Sequence, residues 1–197
     1  MKKYIDPEHK EFEFDSKEEL EFFYWLKELK EAGLIKNIDY HPEPFILCES
    51  FKKDYSGGYK IKSKTFIQKK TYTADFRVIV TDQFRKLFDP FFIIDLTYNL
   101  WVDVKGAQTN GKFVNASAYT FPIKQAWTFV KYGVYVNKVV NRPQKSKGII
   151  KSKNLFLNTF VPKKVAYLQS RKEQTLSKDF QGTDFKFLED LLNKAIV

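Results

Sequence analysis

The clearest hydrophobic pattern in the chain is helical and follows Ser16. Apolar side chains recur there at intervals of three residues: Leu20, Phe23 and Leu26. Such spacing places them on one helix face. Ser16 followed by Glu19 fits a capping box, and Gly33 fits a helix end. We therefore predict a helix from about residue 16 to Gly33, with Glu18 and Glu21 off its apolar face and in solvent.

Runs rich in β-branched and aromatic residues predict strands further along the chain. They fall at 45–48, 71–80, 91–96, 100–105 and 134–140, with strand-like pieces in 155–168. The segment 82–89 predicts a turn, and the lysine-rich segment 52–70 an exposed hairpin or loop. Pro122 is typical of the first turn of a helix, which would run to Gly133. Leu188 and Leu191 indicate a last helix, for which Thr183 is a candidate cap.

This order of elements favours an α/β fold in which a central mixed β-sheet is flanked by helices. At 197 residues, the chain is expected to form one domain. We place the core at 1–140 and a basic C-terminal extension at 141–197, packed on the same domain.

The strand at 100–105 carries an unusual pair of charges. Side chains alternate along a strand, so Val102 and Val104 would face the core while Asp103 and Lys105 share the other face. If the strand of Asp75 lies beside it, the two carboxylates approach each other. Close carboxylates repel unless a cation or proton lies between them. Oxygen ligands favour Mg²⁺ or Mn²⁺ over zinc.

Glu19 has two interpretations that the sequence leaves open. It stands where a capping box places Glu, and it also points the same way as Phe23 on the apolar face. A carboxylate in that position needs a partner. We therefore keep it both as a helix cap and as a candidate metal ligand.

The positive charge is concentrated in two segments. The chain has a formal net charge of +10, with seven lysines and one acid in 52–70, and eleven basic residues and one acid in 138–178. This clustering favours a polyanionic partner such as DNA. The single cysteine, Cys48, excludes an internal disulfide. No apolar run approaches the ~20 residues of a membrane span, and we expect a cytoplasmic protein.

Together these motifs resemble the PD-(D/E)xK nuclease superfamily, and most of all its small phage members of the endonuclease I and Holliday-junction-resolvase kind. The resemblance covers about residues 15–136. It rests on a helix with Ser16-x-x-Glu19, a strand with Thr73-Ala74-Asp75, a strand with Asp103-Val104-Lys105-Gly106 and a following helix with Lys124-Gln125. It implies a restriction-endonuclease-like core. Ala74 replaces the proline of the name, and Asp103 stands where Glu is more usual.

The resemblance also implies roles for individual residues. Asp75 and Asp103 would be the metal-binding acids, with the Val104 carbonyl and Glu19 as further ligands. Lys105 would be the catalytic lysine. Lys124 or Gln125 would be the auxiliary polar residue of the following helix.

The leading hypothesis is a Mg²⁺-dependent DNA endonuclease with branched DNA as a candidate substrate. A restriction-type or exonucleolytic enzyme and a non-catalytic nucleic-acid-binding protein are the alternatives. Cutting both strands takes two sites, so we expect a homodimer. The predicted DNA contacts are Lys60, Lys62, Lys64, Lys69, Lys70, Lys124, Lys145, Lys147, Lys151 and Lys153.

Overall fold

The computed structural model describes nine stretches of the chain. They are residues 3–6, 9–57, 60–89, 91–106, 116–141, 144–146, 149–151, 155–171 and 187–195. The strands are β1 (Tyr4–Asp6), β2 (His9–Phe14), β3 (Ile35–Tyr40), β4 (Phe45–Cys48), β5 (Phe51–Gly57), β6 (Lys60–Ile67), β7 (Lys70–Tyr72), β8 (Phe76–Val80), β9 (Asn99–Val104), β10 (Val136–Val139), β11 (Gln144–Ser146) and β12 (Ile149–Lys151). The helices are α1 (Lys17–Glu31), α2 (Asp82–Phe88), α3 (Ala116–Tyr132), α4 (Leu155–Asn158), α5 (Lys163–Ser170) and α6 (Leu188–Ala195).

A four-stranded sheet forms the centre of the fold, in the order β10-β9-β8-β3. β10 runs parallel to β9, whereas β8 is antiparallel to both β9 and β3. The sheet is therefore mixed, as predicted. β4 and β7 form a separate two-stranded sheet, and β5 and β6 form another.

The main core lies between this sheet and α1. Val78 of β8 and Val102 of β9 are fully buried there, as is Trp25 of α1. The C-terminal segment belongs to the same core, since Phe160 stacks on Trp25 with ring centroids 5.5 Å apart. The Trp25 indole also donates a hydrogen bond to Thr159.

Helix α1 begins and ends as the sequence predicts. The Ser16 hydroxyl accepts a hydrogen bond from the Glu19 N–H, and Gly33 takes a φ of 73°, which favours glycine. The prediction that Glu21 lies in solvent is wrong, because this residue is only 2% exposed.

The predicted strand 71–80 is two strands in the structure. β7 pairs with β4, whereas β8 pairs with β9 and β3. The intervening residues 73–75 carry the chain from one sheet to the other. There the Asp75 carbonyl accepts a hydrogen bond from the His41 N–H.

Several other predicted elements are wrong. Segment 82–89 is the helix α2, capped by Thr81. Segment 91–96 is not a strand, because the Asn137 side chain binds both backbone polar groups of Ile93 and replaces a strand partner. Pro122 lies inside α3, and 155–168 contains α4 and the start of α5 in place of the predicted strands. Thr183 lies outside the described residues. Within the described part of the chain, no helix has the length and apolar character required to cross a bilayer.

Candidate metal-binding and catalytic site

Asp75 and Asp103 lie side by side at the end of the central sheet where β8 begins and β9 ends. Phe76 of β8 pairs with Val102 of β9, and these two acids occupy the next positions along the antiparallel register. The Asp75 carboxylate also accepts a hydrogen bond of 2.6 Å from the Val104 N–H. The neighbouring strands that the sequence argument required are therefore present.

Asp103 is held by partners on two sides. It is 2% exposed, and its Oδ2 accepts a hydrogen bond of 2.7 Å from the Tyr72 hydroxyl. Its Oδ1 forms an ion pair with Lys105 Nζ and has no hydrogen-bond donor among the described residues. The carboxylate is thus fixed in orientation while one of its oxygens faces only a cation.

Burial of the Asp75 carboxyl, followed by repulsion from the Asp103 carboxylate, raises its pKa to about 8. The Lys105 ammonium and the Val104 N–H oppose this rise, and Glu19 adds to it. The raised pKa therefore reflects burial first and the neighbouring Asp103 carboxylate second. A group of this kind in a cleft is typical of a functional site.

The site opens into a cleft of about 180 Å³. It is lined by Thr71, Tyr72, Thr73, Asp75, Asp103, Lys105, Thr120, Phe121 and Lys124. Two cations border it above aromatic rings: Lys105 Nζ lies 5.7 Å from the Phe121 ring centroid, and Lys124 Nζ lies 5.6 Å from that of Tyr72. The cleft therefore combines carboxylate oxygens and ammonium groups at one end of α3.

The structure brings Lys124 rather than Gln125 into the cleft. The Gln125 side-chain amide donates a hydrogen bond of 2.5 Å to the Val136 carbonyl, which ties α3 to β10. Of the two residues that the resemblance offered for the auxiliary position, only Lys124 lines the cleft.

Glu19 forms the start of α1 and also lies near the site. Ser16 Oγ donates to one of its oxygens, and the Asp15 N–H and the Tyr40 hydroxyl donate to the other. Burial, and then the hydrogen bond to Glu19, raises the pKa of Tyr40. Ligand atoms of Asp15, Glu19 and His41 lie within 4.8 Å of one another. Both oxygens of Glu19 accept hydrogen bonds, so the contacts show this residue as a helix cap.

The predicted DNA-binding lysines differ in how far the structure describes them. Lys62, Lys64, Lys69 and Lys70 are exposed on β6, β7 and the link between them. Lys60, Lys145 and Lys151 lie in strands, but their side chains fall outside the described part. Lys147 and Lys153 lie outside the described residues altogether.

Two residues near the site were not singled out from the sequence. Strict alternation along a strand 71–80 would put Tyr72 on the face opposite Asp75, and only the break at 73–75 brings both to the cleft. Glu18 was expected in solvent, yet its Oε1 lies 3.6 Å from the position that a Cβ on Gly106 would occupy. It is therefore close to the end of β9. No pattern in the sequence signals either placement.

Fold and site define a mixed α/β protein with a cleft of carboxylates and lysines at one end of the strands of its central sheet. The model of the DUF1064 family, described as a protein of unknown function, matches residues 2–132. The chain belongs to this family. The match runs from β1 to the end of α3 and includes every residue of the cleft. Neither the curated proteins nor the solved structures contain a significant match to this chain.

Proposed function

We propose that this protein is a Mg²⁺-dependent DNA endonuclease of the PD-(D/E)xK type. The observation that carries the proposal is the convergence of Asp75, Asp103 and Lys105 on one cleft. A central mixed sheet with α1 packed on it supports a restriction-endonuclease-like core. Two carboxylates that approach each other in one cleft, one of them with a pKa raised by burial and by the other, support a cation as a further partner.

The residues of the cleft fit Mg²⁺ or Mn²⁺. Their donors are carboxylate oxygens, which these ions prefer. Asp103 Oδ1 is buried and has only Lys105 as a partner in the described chain, so it is available to a cation. Asp75, Asp103 and the Val104 carbonyl would hold the ion. Glu19 would support them through its charge and by fixing the start of α1.

The chain's own groups have separable roles in phosphodiester hydrolysis. When bound, Mg²⁺ would polarise the phosphate and lower the pKa of a coordinated water. Lys105, as the ammonium paired with Asp103, would orient the attacking water and offset charge on the phosphate oxygens. Lys124, at the cleft edge, would contact the same phosphate, and Tyr72 would hold Asp103 in orientation through its hydroxyl.

A non-catalytic DNA-binding protein is the second candidate, favoured by the net charge alone. Buried carboxylates facing a cleft count against it. They are costly to desolvate and repel a polyanion, so a protein that only binds DNA gains nothing from them. A restriction-type or exonucleolytic enzyme would use the same site, and cutting both strands would require a second copy in a homodimer.

A cleavage assay tests the proposal and separates these candidates. Branched, linear duplex and single-stranded DNA would be incubated with Mg²⁺ or with EDTA. We expect internal cleavage in Mg²⁺ only, and its loss in Asp75→Ala, Asp103→Ala and Lys105→Ala variants that still bind DNA. Full activity in any one of these variants would refute the assignment. Shortening from the ends would identify an exonuclease, and binding without cleavage a non-catalytic protein.

A further inference from the structure

Strands β5 and β6 form a separate two-stranded ribbon that leads along the chain into β7 and the cleft residues Thr71 and Tyr72. They pair with each other in register and with no other described strand. Every side chain described in 51–55 and 61–67 is exposed. A two-stranded ribbon on its own has no core to bury. Its side chains are therefore free to contact a partner outside the chain.

The register gives this ribbon one strongly basic face. Lys53 lies opposite Lys64, and Tyr55 lies opposite Lys62, so these four side chains share a face. Phe66 joins them, because Lys64 Nζ lies 5.3 Å from its ring centroid. None of the three lysines forms an ion pair within the described residues. We call this set of five residues the basic face.

The other face of the ribbon carries no net charge in its described part. Lys52 lies opposite Thr65, and Asp54 lies opposite Ser63. Cross-strand lysines such as those of the basic face repel and destabilise a hairpin. The one-sided arrangement thus works against the ribbon itself unless an anion binds to that face.

We propose that the basic face binds the backbone of double-stranded DNA next to the cleaved bond, an inference that rests on the proposed nuclease function and names its substrate class. A two-stranded ribbon fits the major groove, which is about 12 Å wide. Lys62 and Lys64 stand two residues apart on one strand, about 7 Å, close to the spacing of successive phosphates. Tyr55 and Phe66 would pack against sugars and bases between these contacts.

Chain length limits how far from the cleft these contacts lie. Lys64 lies eight positions before Tyr72, which lines the cleft. Eight extended residues span at most about 28 Å, less than one turn of B-DNA at ~34 Å. Lys64, the lysine of the basic face nearest to the cleft along the chain, would therefore engage duplex within roughly eight base pairs of the cleaved bond, and a substrate needs double-stranded DNA on that side.

Charge-matched variants test this inference by binding alone. The first is Lys53→Gln/Lys62→Gln/Lys64→Gln. The control, Lys30→Gln/Lys36→Gln/Lys86→Gln, removes the same charge from exposed positions on α1, β3 and α2, outside the ribbon and the cleft lining. Affinity for a 30-base-pair duplex and for a single strand of equal length would be measured by fluorescence anisotropy in EDTA, between 50 and 200 mM salt.

We expect the ribbon variant to bind duplex at least about tenfold more weakly. The slope of log K plotted against log[salt] should become shallower by roughly 2.7, because three phosphate contacts are lost. The control should keep the wild-type slope. An equal loss in both variants, an equal loss on single strands, or tighter binding to anionic vesicles than to duplex would overturn the inference. Cleavage is scored separately: an inactive protein with ribbon-dependent duplex binding refutes the nuclease, not the ribbon.

Discussion

Replacing Asp75 by asparagine should make the metal-free protein more stable while removing the proposed nuclease activity. Asparagine has nearly the same shape, and its oxygen still accepts the hydrogen bond from the Val104 N–H. What it removes is a carboxylate whose pKa is raised from 3.8 to about 8, first by burial and then by Asp103. The change therefore isolates the cost of charge in the cleft.

The magnitude follows from that pKa. Each pKa unit corresponds to about 1.36 kcal/mol, so the ionised Asp75 costs the folded state at most roughly 6 kcal/mol. Burying the new amide offsets part of the gain, by about 1–3 kcal/mol. We expect a net stabilisation of at least ~2 kcal/mol at pH 8, or a Tm higher by at least about 4–8 °C at this chain length.

The pH dependence has a definite sign. Below pH 4, Asp75 is protonated in both the folded and the unfolded chain and contributes nothing. Between pH 4 and pH 8, the unfolded chain has released the proton that the folded chain retains. The free energy of unfolding of the wild type should therefore fall, relative to Asp75→Asn, as pH rises through this range.

Urea unfolding at pH 5, 6, 7 and 8 in EDTA measures the difference, with the exposed Asp54→Asn as a control expected to stay within about 0.5 kcal/mol of wild type. Mg²⁺ at tenfold excess over its Kd should then stabilise the wild type by about 1.4 kcal/mol and leave Asp75→Asn unchanged. A variant less stable than the wild type at pH 8, or a difference independent of pH, would refute the reasoning.

Three further predictions concern the surroundings of the site. Tyr72→Phe removes the hydroxyl that orients Asp103 and should lower kcat or the Mg²⁺ affinity about tenfold, while the Kd for duplex stays unchanged. A Mg²⁺ titration of cleavage identical to that of the wild type would exclude this role. Lys124→Ala should reduce cleavage, whereas Gln125→Ala should cost only about 1 kcal/mol of stability and keep its activity, and the reverse ranking would contradict the cleft assignment. Glu19→Ala removes the capping-box carboxylate and should destabilise the fold by about 1–2 kcal/mol. The increase of the folded fraction with Mg²⁺, measured by circular dichroism, should remain, and its loss would make Glu19 a ligand.

The part of the site on β9 could be predicted from the sequence because its side chains alternate without interruption. Val102 and Val104 are buried in the main core, and Asp103 and Lys105 lie on the other face. A strong apolar pattern on one face fixes the register of a strand. The pairing of β8 with β9 was a condition of the predicted site, which only the structure establishes.

The remainder depended on contacts between distant residues. Tyr72 reaches Asp103 only because the chain changes sheets at 73–75, and no local pattern marks that break. The segment around Ile93 looks like a strand, but a single side chain, Asn137, supplies its hydrogen bonds. Short apolar runs such as Leu155–Asn158 suit a helix or a strand equally well, and only packing against α1 decides between them.

The charges of the cleft explain why binding and cleavage should depend on different parts of the molecule. With all groups ionised, the two acids are balanced by Lys105 and Lys124, so the cleft by itself offers no net attraction to a phosphate. Attraction must then come from outside it, and the basic face together with Lys69 and Lys70 supplies exposed lysines just before the cleft residue Thr71 along the chain. Removing Mg²⁺ should therefore abolish cleavage and leave most of the affinity for duplex. Removing the ribbon lysines should weaken the affinity for duplex and leave the cleavage rate at saturating DNA.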